Sequence, residues 1–241
     1  MWRPQLQLWY DLHVPPLPTG KFITFEGLDG CGKSTQVEKL AAALRSQGLA
    51  VVATREPGGT AIGERIRHIL LDSGTSGLSP FAELALMFAS RAQHIKEVIQ
   101  PALADGRIVL CDRFTDSTEA YQGGGRKLGS EVVLTLHRTL CGDLRPDLTI
   151  LMDSDAALSV ERARRRNKIH SPGRRQSAGD ENRFEQESRL FFGRVRKTYL
   201  TILAREPDRV VLVDASGTPA QTHRRIMEVV GRKLKLAARP G

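Results

Sequence analysis

Short apolar segments alternate with amphipathic stretches along most of the chain, beginning near Lys21. Each segment is rich in valine, isoleucine or leucine and has little polar alternation, which is typical of parallel strands covered on both faces. The stretches between the segments are long enough to form crossover helices. The pattern therefore predicts five strands joined by helices, at residues 22–25, 49–53, 108–111, 148–152 and 210–213.

Local signals mark where several of these helices begin or end. Gly48 is placed to end the helix after the first strand. Ser79 followed by Pro80 is typical of a helix N-terminus, and residues 218–221 (Thr-Pro-Ala-Gln) have the spacing of a capping box. Strands alternating with helices predict an α/β fold, namely a doubly wound, five-stranded parallel sheet flanked by helices. The long connections after the second and fourth strands are expected to add a substrate flap and a lid.

The positive charge of the chain is concentrated in two places. The net charge is +9, but residues 162–175 contain seven cations and no acid, and residues 231–241 contain four more cations. Only 5% of the residues are aromatic, whereas nucleic-acid surfaces usually combine spread cations with aromatic side chains. The distribution favours a basic lid over a nucleic-acid surface, with a solvated loop as the alternative.

The sequence also bears on the compartment. No apolar stretch reaches the length of about 18 residues that a membrane-spanning helix needs. The first 20 residues contain four of the twelve prolines and lack the apolar core of a signal peptide. Three widely spaced cysteines suit a reducing compartment. A cytoplasmic protein without a membrane partner is expected.

Residues 27–34 match the phosphate-binding pattern G-x-x-x-x-G-K-[ST] between a predicted strand and a predicted helix. Its glycines allow backbone N–H groups to converge on a polyphosphate at the helix N-terminus. Lys33 is expected to contact the β- and γ-phosphates, and the Ser34 hydroxyl to ligate Mg²⁺. The predicted ATP-binding residues are Gly27, Leu28, Asp29, Gly30, Cys31, Gly32, Lys33, Ser34 and Thr35.

This P-loop indicates a nucleoside triphosphate but does not define the reaction. A GTPase would carry N-K-x-D, and the nearest match, at residues 167–170, lacks the aspartate. Helicase motors normally need a longer chain. A kinase of a small acceptor fits best. The alternatives are a P-loop kinase of another nucleotide acceptor, such as UMP, and a nucleic-acid-binding ATPase.

One arginine interrupts the apolar face of the helix predicted for residues 80–103. At about 100° per residue, Arg91 falls in the middle of a stripe that includes Met87 and Phe88. A buried guanidinium needs a partner, because its desolvation would cost several kcal/mol. That partner is either a structural carboxylate or an anionic ligand such as a phosphate.

Two further strand ends carry charged residues. Asp112 and Arg113 follow the third strand, and Arg55 ends the second. Asp112 can organise Mg²⁺ or its waters, and Arg113 can reach a transferring phosphoryl group. We therefore expect Arg55, Arg91 and Arg113 to converge with Lys33 on one crevice that holds two phosphorylated ligands, because such sheets bind ligands at the carboxyl ends of their strands.

Together these residues resemble the bacterial thymidylate kinases, which phosphorylate dTMP with ATP. The resemblance extends over residues 22–226. Five segments carry it, namely FEGLDGCGKST, TREPGGT, ELALMFASRAQH, CDRFTDSTEAYQGGGR and NRFEQES. It implies the P-loop NTPase fold, a homodimer and Mg²⁺ as the metal.

The same resemblance implies roles for individual residues. Asp29 would approach the acceptor sugar, the three arginines would hold the dTMP phosphate, and Met87 or Phe88 would contact thymine. A role in binding Mg²⁺ or the acceptor would fall on Glu185. The implied substrate-binding residues are Asp29, Arg55, Met87, Phe88, Arg91, Arg113, Thr118, Tyr121, Gln122 and Glu185.

The family places its catalytic arginine either in the P-loop or in the lid. The P-loop here has none, so Arg162, Arg164 or Arg166 is implied as the arginine that contacts the phosphates, beside Lys33 and Arg113. The expected organisation is a proline-rich extension (1–20), a kinase domain (21–230) whose lid covers about 162–181, and a basic tail (231–241). ATP and dTMP are the expected ligands, and no specific nucleic-acid partner is expected.

Overall fold

The computed structural model describes residues 20–75, 77–154 and 183–234. The predicted extension apart from Gly20, the whole predicted lid and residues 235–241 of the predicted tail lie outside these ranges. None of the helices within them is long and apolar enough to cross a membrane.

Five parallel strands form one sheet in the order β2-β3-β1-β4-β5. Their bounds are β1 (Lys21–Glu26), β2 (Val51–Arg55), β3 (Ile108–Asp112), β4 (Leu148–Asp153) and β5 (Val210–Asp214). The predicted five-stranded parallel sheet is confirmed. The second strand begins two residues later than predicted because Gly48, with a φ of 79°, and the two residues after it still belong to the connection.

Helices cover the sheet and continue into less regular segments at two places. The α-helices are α1 (Lys33–Ser46), α2 (Ala61–Leu71), α3 (Pro80–His94), α4 (Gln100–Ala104), α5 (Thr115–Thr118), α6 (Ser130–Cys141), α7 (Arg189–Arg205) and α8 (Pro219–Leu234). Ile95–Ile99 and Glu119–Gly125 are π-helical, and Arg183–Gln186 is a 3₁₀ turn. Helix α8 runs past residue 230, so the predicted domain boundary falls inside a helix.

Two predicted helix N-termini are confirmed in detail. The Ser79 hydroxyl accepts a hydrogen bond from the Ala82 N–H at 3.2 Å. Thr218 and Gln221 cap each other, since the Gln221 N–H donates to Thr218 Oγ1 and the Thr218 N–H donates to Gln221 Oε1. Each exchange satisfies N–H groups that the first helical turn leaves without an intrahelical acceptor.

The helix predicted for residues 80–103 is not one regular α-helix. Its middle is the π segment Ile95–Ile99, where the wider turn changes the angular position of every later residue. Ile95 and Ile99 are buried, whereas Val98 is only half-buried. At 100° per residue Val98 would lie on the same stripe as Arg91, so the position calculated for an ideal α-helix is wrong for that residue.

Both faces of the sheet are covered, as a doubly wound fold requires. On β1, Ile23 packs in a cluster with Leu40 of α1, while its neighbour Phe22 packs in a separate cluster with Phe88 and Phe114. Adjacent residues of a strand point to opposite faces. Because both side chains are at most 1% exposed, apolar layers lie on both sides of the sheet.

The register places the carboxyl ends of β1, β2 and β3 side by side. Phe25 pairs with Asp112, and Asp112 pairs with Arg55. The connection after β1 is the P-loop, so this sheet edge brings the P-loop next to the ends of β2 and β3. The candidate chemistry is concentrated here.

Candidate active site

The P-loop lies between β1 and α1 and is closed around the ammonium of Lys33. Lys33 Nζ donates to the carbonyl oxygens of Gly27 at 3.2 Å and Leu28 at 2.8 Å. Gly27 has a φ of 134°, and a Cβ there would lie 2.3 Å from the Met152 carbonyl oxygen, so only glycine fits. The loop therefore packs closely against β4, and its Lys33 ammonium lies at the sheet edge.

The hydroxyl of the next residue contacts the end of β3. Ser34 Oγ donates to Asp112 Oδ2 at 2.6 Å. A hydroxyl and a carboxylate at this separation are the oxygen ligands that a hard divalent cation prefers. The donor set predicted for Mg²⁺ is thus brought together, on a face open to solvent.

Two adjoining cavities flank this edge. The P-loop cavity has Lys33, Ser34, Arg55 and Asp112 in its wall. The second, called here the inner cavity, encloses about 780 Å³ when its part open to solvent is included. Its wall includes Met87, Arg91, Ser117, Thr118, Tyr121, Gln122, Phe184 and Glu185. Asp29, Glu56, Arg67 and Arg113 line both cavities.

Arg113 stands at the boundary between the cavities, and its neighbours define its position. Nη2 donates to Asp29 Oδ1 at 2.6 Å, and Nη1 donates to Ser117 Oγ at 2.9 Å. Its guanidinium carbon lies 4.8 Å from the centre of the Tyr121 ring. The backbone φ of Arg113 is 72°, in the left-handed region that non-glycine residues avoid. Such conformations persist where surrounding contacts enforce them, commonly at functional sites.

Asp29 is held as a carboxylate. Burial alone would raise its pKa, but the charges of Arg113 and Lys33 and a hydrogen bond from Tyr121 hold the pKa well below its usual value. Tyr121 OH donates to Asp29 Oδ2 at 2.8 Å. Asp29 is therefore a negatively charged acceptor on the wall common to both cavities.

Arg91 does not join Lys33, and the expectation that three arginines and Lys33 share one crevice is wrong for it. Its side chain is 2% exposed and its Nε donates to Glu56 Oε2 at 2.7 Å. Nη2 donates to Thr118 Oγ1 at 2.8 Å. Glu56, in the loop after β2, is the structural carboxylate that the sequence had left as an alternative. Arg91 lines the inner cavity and not the P-loop cavity.

The Nη1 nitrogen of Arg91 is buried and has no hydrogen-bond partner among the described residues. Burial of a cationic donor without a partner is costly. Arg91 also lines the inner cavity, so this nitrogen is a candidate donor to a ligand there.

Comparison with known proteins identifies the family of this chain. The family model described as thymidylate kinase matches residues 25–226. A thymidylate kinase from Trichlorobacter lovleyi is 50% identical over 213 residues, covering 88% of this chain and 98% of the relative. One from Pseudomonas syringae pv. tomato is 49% identical over 218 residues, 90% and 98% of the two chains. The chain belongs to the thymidylate kinase family.

A solved thymidylate kinase structure agrees with the fold. The crystal structure of the Ehrlichia chaffeensis enzyme aligns with a TM-score of 0.69 and 30% identity, covering 88% of this chain and 98% of that one. The P-loop NTPase fold expected from the sequence is thereby confirmed. A thymidylate kinase needs a site for a nucleoside triphosphate beside a site for a nucleoside monophosphate, and the described residues form two adjoining cavities.

Most of the residues implied for the thymidylate kinase acceptor line the inner cavity. These are Asp29, Met87, Arg91, Arg113, Thr118, Tyr121, Gln122 and Glu185. Arg55 lines the P-loop cavity instead, and its Nη2 lies 3.0 Å from Glu64 Oε2. Arg162, Arg164 and Arg166 lie outside the described residues.

The structure separates the two candidates for contact with thymine. Met87 lines the inner cavity, whereas Phe88 is fully buried in the cluster that contains Phe22 and Leu84. The expectation for Phe88 is therefore wrong. Both residues lie on the buried side of α3, but Phe88 points to the sheet while Met87 points to the cavity. Phe184, which the sequence did not suggest, also lines this cavity.

The P-loop residues differ in what they can offer. Gly30, Gly32, Lys33, Ser34 and Thr35 line the P-loop cavity. The Leu28 side chain packs in the core, so this residue offers only its backbone. A third cavity beside the loop is lined by Cys31, Thr35, Gln36, Ala215, Gly217 and Pro219.

Two charged residues at this site have no local sequence signal. Arg67 of α2 lines both cavities and donates from Nη1 to the Pro57 carbonyl at 2.9 Å. Glu26, the last residue of β1, is fully buried and accepts from the Phe114 N–H at 2.7 Å and from the Ser117 hydroxyl. Glu26 thus holds the segment that follows Arg113.

The pH dependence of stability should report on Glu26. Burial, and next the charge of Asp116, raise the pKa of Glu26 from 4.5 to about 8. Its contribution to stability is therefore complete below about pH 4.5 and is lost as the pH rises toward 8. Glu26→Gln should lose less stability than the unmodified protein between pH 5 and 8, by a difference on the order of a few kcal/mol. Urea denaturation at several pH values measures the free energy of unfolding of both proteins. An equal decrease of this free energy with pH in the two proteins would contradict the prediction.

Proposed function

We propose that the chain transfers the γ-phosphoryl group of ATP to dTMP and forms dTDP, with dTMP in the inner cavity and the triphosphate in the P-loop cavity. The observation that carries this arrangement is the wall shared by the two cavities. Arg113 and Asp29 line both, so ligands in the two cavities meet at Arg113. Phosphoryl transfer relies mainly on such positioning and on charge stabilisation.

The acceptor phosphate is assigned to the boundary. Arg113 contacts it there, and Arg55 and Lys33 approach from the P-loop side, because all three line the P-loop cavity. No protein nucleophile or strong base is needed, since a phosphate monoester is already an anion at neutral pH. The bond between the γ-phosphorus and the β-phosphate oxygen of ATP breaks as a dTMP phosphate oxygen bonds to the γ-phosphorus, and ADP leaves.

The thymine end of dTMP is assigned to the opposite end of the inner cavity. Arg91 is therefore assigned to the base and not, as the resemblance implied, to the phosphate. Arg91 offers its unpartnered Nη1 as a donor, and Gln122 lies in the same wall. Met87 and Phe184 supply apolar contact with the ring. Asp29, with Tyr121 bonded to it, accepts from a hydroxyl of the deoxyribose, and Thr118 and Glu185 complete the wall.

Mg²⁺ is the metal that the donor set fits. The Ser34 hydroxyl and the Asp112 carboxylate are oxygen ligands 2.6 Å apart, and Mg²⁺ typically uses one or two protein oxygens together with phosphate oxygens and water. When bound, the ion neutralises charge on the phosphates. Ser34 and Asp112 would hold it beside Lys33.

A lid arginine completes the proposed catalytic set. Residues 27–34 contain no arginine, whereas residues 162–166 contain four. Arg162, Arg164 or Arg166 is assigned to the transferring phosphoryl group, where an arginine is worth about 10³-fold or more in rate.

A homodimer in the cytoplasm is the proposed setting. Ile62 and Ile69 of α2 and Phe81 of α3 are about half exposed or more, and the two helices pack on each other. Exposed apolar side chains on two packed helices suit a contact with a second copy. All three cysteines are free and buried, which suits a reducing compartment.

An ADP-release assay across acceptors tests the proposed function. With ATP and Mg²⁺, dTMP should stimulate ADP release more than UMP or dAMP. A preference for UMP or dAMP would support a kinase of another acceptor. ADP release stimulated by DNA, together with strongly salt-dependent DNA binding, would support a nucleic-acid-binding ATPase.

Replacing Arg91 should change the KM for dTMP but not the KM for ATP. Arg91→Ala is expected to raise the KM for dTMP by about 10- to 100-fold, the effect of losing hydrogen bonds from a charged group, and to leave the KM for ATP nearly unchanged. It also leaves Glu56 buried without its cation, so thermal unfolding must be measured alongside. Equal increases in both KM values would contradict the assignment.

A further inference from the structure

Glu83, in the first turn of α3, is a buried carboxylate whose hydrogen-bonding capacity is fully used. Its Oε1 accepts from Gln122 Nε2 at 2.8 Å and from Arg126 Nε at 3.1 Å. Its Oε2 accepts from Arg126 Nη2 at 3.1 Å and from Arg183 Nη2 at 2.7 Å. A carboxylate has about four lone-pair positions, and four donors occupy them.

This carboxylate can only accept hydrogen bonds. Burial alone would raise its pKa, but the hydrogen bonds from Arg126 and Gln122 and the charges of Arg126 and Arg183 hold the pKa of Glu83 below its usual value. Two arginines donate from both sides, so no proton is needed on either oxygen. Every group that faces Glu83 must therefore present a donor to it.

The orientation of the Gln122 amide follows. A side-chain amide has one donor end and one acceptor end, and rotation by 180° exchanges them. Rotated in that way, Gln122 would place its carbonyl oxygen 2.8 Å from a carboxylate oxygen, which is repulsive and removes a buried hydrogen bond. Glu83 thus fixes the NH₂ toward itself and leaves Oε1 as the atom that Gln122 offers to the inner cavity.

An acceptor at this position distinguishes pyrimidines by the proton at N3. Thymine and uracil carry N3–H, a donor, and O4, an acceptor. Cytosine carries an unprotonated N3 and a 4-amino group, so its pattern is reversed. Gln122 Oε1 as acceptor and Arg91 Nη1 as donor match the first pattern and oppose the second.

We propose that Glu83 is a specificity-determining positioning residue, which makes the enzyme select thymine and uracil over cytosine by fixing the Gln122 amide. The proposal rests on dTMP binding in the inner cavity. Glu83 itself lines neither cavity and acts through Gln122.

The test is the acceptor selectivity of Glu83→Gln, measured as kcat/KM with dTMP, dUMP and dCMP. A neutral amide at residue 83 can face Gln122 with either end, so Gln122 is no longer fixed. The dTMP-to-dCMP ratio is expected to fall about tenfold, the effect of one hydrogen bond. The dTMP-to-dUMP ratio should not change, because these bases differ only in a methyl group away from N3.

A matched control is Glu187→Gln. Glu187 accepts from Arg126 Nη1 in the same cluster but does not contact Gln122, so its replacement should leave the dTMP-to-dCMP ratio unchanged. A structural role for Glu83 predicts equal losses with dTMP and dCMP in Glu83→Gln. Equal losses, or an unchanged ratio in a folded variant, would overturn the proposal.

A measurement on the unmodified protein covers the case in which Glu83→Gln does not fold. The side-chain ¹⁵N–¹H signals of Gln122, assigned by their loss in Gln122→Met, should exchange slowly with solvent, as expected for a buried amide bonded to a carboxylate. Fast exchange would overturn the proposal. If the unmodified protein does not prefer dTMP to dCMP, the proposed function fails as well; if it does and Glu83→Gln keeps the same ratio, only this inference fails.

Discussion

Lys33→Ala is expected to lower kcat by about 10³-fold or more, because the cation that contacts the transferring phosphates is removed. The fold should change little. Lys33 Nζ contacts two backbone carbonyls and the Cys31 sulfur, all within the P-loop itself. Steady-state ADP release and thermal unfolding measure the two effects separately.

The control for this variant is Lys39→Ala. Lys39 lies on the same helix, α1, but on its exposed face, so its replacement changes the net charge equally without affecting the P-loop. It should leave kcat unchanged. Activity of Lys33→Ala within tenfold of the unmodified protein would contradict the phosphate role.

Replacing Arg113 should affect both substrates. Arg113→Ala is expected to lower kcat/KM for dTMP by about 10²- to 10³-fold and also to lower kcat, because this guanidinium lines both cavities and loss of one donor that stabilises transition-state charge typically costs about 10²- to 10³-fold in rate. It leaves Asp29 without its ion pair. Kinetics with each substrate varied in turn measure this.

Arg113→Lys gives a finer test. It keeps the charge but cannot donate to Asp29 and Ser117 from two nitrogens at once, so only part of the activity should return. Arg107→Ala serves as a surface control, since Arg107 pairs with Asp105 where both are about half exposed or more. An effect of Arg113→Ala on the KM for dTMP alone would place Arg113 away from the phosphoryl-transfer point.

The features that the sequence predicted correctly are local. The P-loop, the Ser79 cap and the capping box at Thr218 each depend on residues within a few positions of one another, and the strands are contiguous apolar segments. Parallel strands also align their carboxyl ends, which is why Ser34 and Asp112, 78 positions apart, could be expected to meet.

The features that the sequence missed depend on contacts distant in sequence. Arg91 was recognised as buried, but its partner Glu56 lies 35 positions away in a loop, and no periodicity specifies such a pair. The helical wheel placed Met87 and Phe88 on one stripe, yet that stripe faces both the sheet and the inner cavity. A wheel cannot distinguish these two surroundings.

Buried acids were the hardest to foresee. Glu83 stands in the first turn of a helix, where an exposed acid is common because it interacts favourably with the helix dipole, so nothing local marks it as buried. Glu26 ends an apolar strand in which it is the only charged residue after Lys21. The residues that contact Glu83 and Glu26 lie after β3 or after the predicted lid. Only the tertiary structure brings them close to these two acids.

A crystal structure with dTMP, Mg²⁺ and a non-hydrolysable ATP analogue would show directly where each substrate binds. We expect the dTMP phosphate beside Arg113, the thymine ring between Met87 and Phe184 with Arg91 and Gln122 at its edge, and the triphosphate on Lys33 and Ser34. A dTMP molecule bound elsewhere, or bound with its base toward Lys33 and its phosphate toward Gln122, would contradict the proposed arrangement.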